Sequence, residues 1–238
     1  MQYSTFAAID IGSYDVILEI FEISKKQGIR SVDKICHRME LGKDTYTLGK
    51  IRPEMEEELC RVLADFVRIM EGYRVDAYRA MASSAISEAA NSLYVLGKIR
   101  QLTGLSVTVL SNSEQRFLGY KALAAMEDNF NKVIEKGTAI LDLDGGSFQI
   151  SLFDKDALVT TQNIRMGSLR VRERLAGIQS ETEHYEEMVE ELIWNEVSSF
   201  KKMYLKDRKI ENIMLIGDVF TDSVYQNIEE KTTKINFP

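Results

Sequence analysis

Long apolar runs are missing from this 238-residue sequence. None approaches the roughly 20 residues that cross a bilayer as a helix, so a helical membrane protein is not expected. The amino terminus, MQYSTFAAID, lacks a basic region and a cleavage-type site, and no signal peptide is expected there. Cysteine is scarce. Cys36 and Cys60 have no metal-ligand spacing and read as thiols of a reducing cytoplasm rather than as a disulfide. Histidine is scarce too: His37 and His184 lie far apart among charged neighbours, which suits surface positions better than a catalytic base. Positive charge is in deficit. The net charge of -7 argues against a general nucleic-acid binder. It also requires that a polyanionic substrate meet a local basic or metal-loaded cleft. The rest is ordinary for a globular chain, 45% hydrophobic and 28% charged, with length for one large domain or two small ones.

Alternation of apolar residues predicts strands at Phe6–Ile11, Val16–Ile23 and Ile29–Met39. Pro53, placed where a helix tolerates a missing N–H, opens a helix whose apolar face carries Leu59, Leu63, Phe66 and Met70. A strand over Asp76–Ala82, a helix from Ile86 to Arg100, a strand over Ser106–Leu110 and a helix from Ser113 to Met126 follow. Glu127–Gly137 is polar and reads as a linker. The pattern then restarts with strands at Thr138–Leu143, Phe148–Phe153 and Ala157–Met166. A helix from Glu181 to Tyr204, with Tyr185, Met188, Leu192, Val197 and Phe200 on its apolar face, and a strand over Ile213–Ile216 complete it. Two domains are expected, residues 1–126 and 127–238.

The most informative stretch is AILDLDGGSFQI, Ala139 to Ile150. Its apolar strand ends in Asp142 and Asp144 with Gly145, Gly146 and Ser147 behind. Burying a carboxylate costs several kcal/mol unless it is paired or holds a cation. Paired glycines permit a tight turn and let a ligand approach the backbone. A metal ion and a phosphate would satisfy both features; an Asp-Gly hairpin turn uses the same letters for local reasons. The first half of the chain contains an echo, Asp10-Ile11-Gly12-Ser13, also at the end of a strand. A local turn has no reason to recur with an acid in the same place, so two like halves with a cleft between them are expected.

With that duplication in hand, further segments matter: AAIDIGSYDVILEIFEI, MELGKDTYTLGKI, MASSAISEAANS, VTVLSNSEQRFLGYKAL, LDLDGGSFQI and IRMGSLRVRE. In order and spacing the chain resembles the exopolyphosphatase / guanosine pentaphosphate phosphohydrolase (Ppx/GppA) family, of the actin-like ATPase superfamily. The resemblance implies an α/β fold of two ribonuclease-H-like domains, each a mixed sheet flanked by helices, the second shortened at its C-terminus. It implies cytoplasmic hydrolysis of phosphoanhydride bonds in polyphosphate or pppGpp, assisted by Mg²⁺ or a similar divalent cation in the cleft, with dimers common among relatives. Such chemistry consists of positioning and charge stabilisation. By position, Glu114 would orient the attacking water. Gly12, Ser13, Gly145, Gly146 and Ser147 would wrap phosphate oxygens, and Asp142, Asp10 and Asp144 would serve the metal.

The sequence also departs from the family pattern. Asp144 stands where the first glycine of a triplet is usual. Tyr14-Asp15 replaces Asn-Ser, Ser87 replaces an arginine, Gln149 replaces a glutamate, and Leu215-Ile216-Gly217-Asp218-Val219 replaces a glycine-rich loop. Aligned without a gap, the catalytic glutamate falls on Gln115; with a one-residue deletion it falls on Glu114. Glutamine can hold a water but cannot take its proton. Arg116, Arg165, Arg170 and Arg172 are the candidate cations near such a cleft. Three readings stand side by side: a metal-dependent phosphohydrolase, a catalytically degenerate binder of nucleotide, alarmone or phosphate, and a structural protein using exposed residues such as Trp194.

Overall fold

Strict alternation in the first strand sets the inside and outside of the first sheet. In β1 (Ser4–Ile11), Ala7, Ile9 and Ile11 are fully buried while Asp10 on the opposite face is exposed. The computed structural model describes residues 3–126, 130–177, 184–206 and 208–217. Asp218 and the residues after it lie outside the described residues. The chain divides into two compact units, Met1–Arg116 and Phe117–Pro238.

In the first unit, β1 pairs antiparallel with β2 (Asp15–Ser24), which pairs antiparallel with β3 (Gly28–Arg38). On its other side β1 pairs parallel with β4 (Ala77–Ala82), and β4 with β5 (Val107–Val109), giving the order β3-β2-β1-β4-β5. Register aligns Ile9 with Leu18 and Ala80, and Ile11 with Val16 and Ala82, so one face is a continuous apolar surface. The helix α2 (Pro53–Gly72) covers it with Leu59, Leu63, Phe66 and Met70, joined by Val95 and Ile99 of α4 (Ser92–Thr103). Each such side chain is worth about 1.5–3 kcal/mol when fully buried.

The second unit repeats this plan. β6 (Thr138–Leu143) pairs antiparallel with β7 (Phe148–Asp154), β7 antiparallel with β8 (Ala157–Ile164), and β6 parallel with β9 (Asn212–Ile216). The order β8-β7-β6-β9 reproduces β3-β2-β1-β4. One face of β7 presents Phe148, Ile150 and Leu152 toward Phe200 of α8 (Tyr185–Tyr204). The other presents Gln149, Ser151 and Phe153. Phe153 packs against Phe130 and Ile134 of α6 (Phe130–Ile134) and Tyr120 of α5 (Asn112–Met126). The division between units falls inside α5, whereas the sequence reading places a boundary at its end.

Two short helices were not expected. They are α1 (Leu41–Leu48) and α7 (Ser168–Leu175), and each precedes the long helix of its unit. α1 contains a glycine and two threonines, poor helix formers. Tertiary bonds hold it: buried Asp44 accepts the Arg52 backbone N–H at 2.9 Å and the Arg52 guanidinium at 2.8 Å. The linker expected over Glu127–Gly137 contains α6, whose Phe130 and Ile134, one turn apart, are both buried. The helix expected from Ile86 to Arg100 is instead two, α3 (Ser84–Ser87) and α4. The break is fixed by Asn91, whose amide exchanges hydrogen bonds with both backbone groups of Ile51 and donates to Glu56. Among the described residues no helix is long and apolar enough to cross a membrane.

Candidate functional site

Both units turn from their first strand into their second through four residues. The turns are Gly12–Asp15 and Asp144–Ser147, and they share a hydrogen-bond plan. The first residue donates its N–H to the last residue's carbonyl: Gly12 to Asp15 at 2.9 Å, Asp144 to Ser147 at 3.0 Å. The remaining carbonyls are then claimed by the amides around the start of the short helix. In the first unit Gly42 donates to Ser13 at 2.9 Å, and Met39 and Glu40 donate to Tyr14. In the second, Ser168 donates to Asp144 at 3.2 Å and Arg170 to Gly145 at 3.0 Å. The Arg170 guanidinium adds a bond from Nε to the Gly146 carbonyl at 2.8 Å.

This clamp has a geometric consequence. A trans peptide is planar, with its N–H opposite its C=O. Because the carbonyls of Asp144 and Gly145 point at the start of α7, the N–H groups of Gly145 and Gly146 point away from it. The N–H of Ser147 likewise points away from the Arg170 guanidinium. Consecutive backbone N–H groups turned away from such a clamp can cradle an anion. Gly145 and Gly146 carry no side chains to cover these amides, although both residues are themselves buried. Gly167, the residue before α7, is needed for the clamp: a Cβ there would lie 2.3 Å from Ser147 N and 2.4 Å from Asp144 O. Gly217 is equally constrained, with φ at 121° and its position against the backbone of Leu143.

The acids are placed by the strands. Asp10 and Asp142 occupy the same place in the repeat, one residue before the end of β1 and β6, on the face away from the long helix. Asp142 stands opposite Gln149 of β7, and Gln149 opposite Asn163 of β8, so three polar side chains cross the sheet in one row. Asn163 donates from Nδ2 to Ser147 Oγ at 3.1 Å. Gln149 is 5% exposed, and its Oε1 is buried with no hydrogen-bond partner. A desolvated carbonyl oxygen beside a carboxylate matches the donor set of a hard divalent cation, which takes carboxylate and amide oxygens. Within either unit, no three Asp, Glu, His or Cys side chains among the described residues come together to hold an ion. An ion there would draw on Asp142 and Gln149 together.

Other residues singled out from the sequence have structural partners. Ser13 is buried and shares a hydrogen bond of 2.7 Å with the Tyr46 hydroxyl, which shares another of 2.8 Å with Ser84. Ser87 is exposed. Arg172 pairs with Glu173 at 2.9 Å, and Arg165 is exposed. Arg116 donates to Ser113 at 2.9 Å. Glu114 lies at the start of α5, where its Oε2 accepts the Ser111 backbone N–H at 2.9 Å and the Ser111 hydroxyl at 2.7 Å. Glu114 N in turn lies 3.3 Å from Ser111 Oγ. This is a reciprocal capping box, and the letters themselves carry its spacing, Ser-x-x-Glu. The backbone N–H of Ser111, followed by its hydroxyl, holds the Glu114 carboxyl below its ordinary range. Gln115 is half-buried one residue further on.

A duplicated β-β-β-α-β plan with matched turns defines the actin-like ATPase class of folds. Within it, the chain belongs to the Ppx/GppA phosphatase family, whose family model matches residues 19–236. It is similar to a bifunctional 3-dehydroquinate synthase/phosphatase of Fusobacterium nucleatum, 21% identical over 94% of this chain and 34% of that protein. It is also similar to exopolyphosphatase 1 of Mycobacterium leprae, 25% identical over 60% of this chain and 41% of that protein. The chain thus spans well under half the length of these curated relatives. Among solved structures, the Aquifex aeolicus Ppx/GppA family member superposes with a TM-score of 0.70 at 21% identity, covering 98% of this chain and 72% of that one. An exopolyphosphatase from Cytophaga hutchinsonii superposes with a TM-score of 0.72 at 19% identity, covering 97% and 73%.

Proposed function

We propose that the chain hydrolyses phosphoanhydride bonds of polyphosphate or pppGpp, using a divalent cation held by Asp142 and Gln149. The observation that carries this reading is the Asp144–Ser147 turn, whose carbonyls are tied back so that the Gly145 and Gly146 N–H groups point away from α7. Those amides would bind oxygens of a phosphoryl group, and their fixed orientation costs no reorganisation as charge develops. A bound cation would neutralise part of the phosphoryl charge. Arg170 holds the loop, and Arg172 is paired with Glu173, so protein cations supply little of that neutralisation. Binding of polyphosphate is therefore expected to be weak without Mg²⁺.

A second reading, a protein that binds phosphate compounds without hydrolysing them, draws on Glu114. Its carboxylate accepts two hydrogen bonds from Ser111 and is held in its ionised form, which weakens it as a base. Phosphate release from polyphosphate, pppGpp and ATP, measured with and without Mg²⁺ beside Asp142→Ala, separates the two. Hydrolysis requires Mg²⁺-dependent release that Asp142→Ala lowers by about a hundredfold or more. No release above the variant overturns hydrolysis. Mg²⁺-dependent polyphosphate binding weakened by Asp142→Ala would then establish the binder.

A further inference from the structure

The internal repeat sets two equivalent rows of side chains beside each other for comparison. In the first unit the register places Asp10 opposite Ile17, and Ile17 opposite Cys36. In the second, the same places hold Asp142, Gln149 and Asn163. The acid is common to both rows; the two amides belong to the second alone. Gln149 is the more telling of them. Its side chain is 5% exposed, and its Oε1 is buried with no hydrogen-bond partner. Such an oxygen costs free energy that an apolar residue in the same place, as Ile17 is, does not.

The charge of the second row is as informative as its oxygens. Asp142 supplies its carboxylate; Gln149 and Asn163 are neutral, and Asp144 lies outside the row, in the turn. A dication against a single carboxylate keeps a net positive charge, at a place where Gln149 is shut off from solvent. An oxyanion beside the ion cancels that charge. Mg²⁺ in particular is bound by a carboxylate or two together with phosphate oxygens rather than by a cage made of protein alone. We infer that Gln149 is a specificity-determining residue that makes cation binding conditional on a phosphoryl ligand. Its oxygen contacts the ion, and its lack of charge leaves the remaining positive charge to be neutralised by that ligand. The cation is then shared between chain and phosphate and is not resident in the free chain. This inference rests on the reading of the Asp144–Ser147 turn as a phosphoryl site.

Mn²⁺ in place of Mg²⁺ gives a readout that needs no turnover, the electron paramagnetic resonance signal of the free ion. The full chain is titrated with Mn²⁺ with and without inorganic phosphate, beside chain-free controls for pairing of Mn²⁺ with phosphate. Saturating phosphate should tighten Mn²⁺ binding by about tenfold or more, and Mn²⁺ should tighten phosphate by the same factor. Gln149→Glu adds the missing charge and should bind Mn²⁺ without phosphate about tenfold or more tighter than the parent, with phosphate then adding severalfold less. Gln149→Met keeps the volume and removes the oxygen, so it should weaken Mn²⁺ severalfold with phosphate present. It carries the test if circular dichroism shows that Gln149→Glu does not fold. A Mn²⁺ affinity that phosphate leaves unchanged overturns the inference and leaves the hydrolysis proposal standing. So does a folded Gln149→Glu chain that binds Mn²⁺ like the parent. Absence of Mn²⁺ binding under every condition overturns the cation reading of the site, and this inference with it.

Discussion

α2 and α8 are each 20 residues long, each follows an 8-residue helix, and each lies in the same place in the repeat. Yet α2 buries seven of its residues and α8 only Phe200. α2 is flanked by α4, whose Lys98 reaches its Glu56 at 3.3 Å, and no counterpart of α4 lies among the described residues of the second unit. α2 sets Leu59, Leu63, Phe66 and Met70 against Ile, Val and Ala side chains of its sheet. α8 turns Val189, Ile193 and Val197 toward a cavity. The turns differ in the opposite sense. The first unit puts Ser13 and Tyr14 where the second has Gly145 and Gly146, and Arg38 stacks over the Tyr14 ring at 4.4 Å. One plan has thus yielded a long helix that buries seven residues and one that buries a single residue, with side chains at the middle of the first turn and paired glycines at the middle of the second.

The largest effect should come from truncating one apolar side chain on each of the two helices. Leu63→Ala removes a fully buried side chain and should cost about 2–5 kcal/mol. Ile193→Ala, at a residue 37% exposed, should cost about 0.5 kcal/mol or less. Urea unfolding followed by circular dichroism, with Trp194 fluorescence as a separate probe of the second unit, measures both. Equal costs would mean that α8 packs as tightly as α2 and would remove the contrast.

Next in size is Gly167→Ala. The added Cβ would meet backbone atoms of the Asp144–Ser147 turn, which cannot swing aside as a side-chain end can. Overpacking of this kind costs about 1–3 kcal/mol. The variant should lower the stability reported by Trp194 and weaken any phosphate ligand of the turn. Full retention of both would show that the turn does not need the close approach of α7. Ser13→Ala is the comparison in the first unit. It removes one half-buried hydroxyl bond to Tyr46 and should cost about 1 kcal/mol, because the backbone bonds from Gly42, Met39 and Glu40 still hold the turn.

Much of this plan was legible in the sequence, since period-2 alternation locates strands directly: β1, β2, β6 and β7 lie where expected, and Asp10 and Asp142 occupy equivalent positions. The clamp was not legible. It is made by backbone N–H groups of residues such as Ser168, Arg170 and Gly42, and amide direction leaves no mark in the letters. α1 and α7 escaped for a related reason, being too short for a helical period and held by tertiary bonds. Asn91 broke an apparently continuous helix through hydrogen bonds to Ile51 and Glu56, 40 and 35 residues away. Glu114 was the reverse case. Its capping-box spacing was visible, but the family resemblance drew attention to catalysis instead.

Glu114 yields the smallest structural effect and the sharpest test. Its folded carboxyl lies below the ordinary value of 4.5 because Ser111 donates to it. A depressed acid contributes stability above its unfolded value and loses it as pH falls through the folded one. Protection of the Ser111 amide against hydrogen exchange should therefore decline as pH drops below 4.5, by well under tenfold, since the group is exposed and solvent-screened. Glu114→Gln keeps an acceptor for Ser111 but has no proton to gain, so the acid-dependent decline should vanish while α5 stays capped. Ser111→Ala does the converse, leaving the carboxylate and removing the cap. If Glu114 orients the water, Glu114→Gln loses phosphate release with α5 intact, and Ser111→Ala retains most of it. If both variants release phosphate like the parent chain, Glu114 is a cap alone, and the search for a base passes from the first unit to the acids around the Asp144–Ser147 turn of the second.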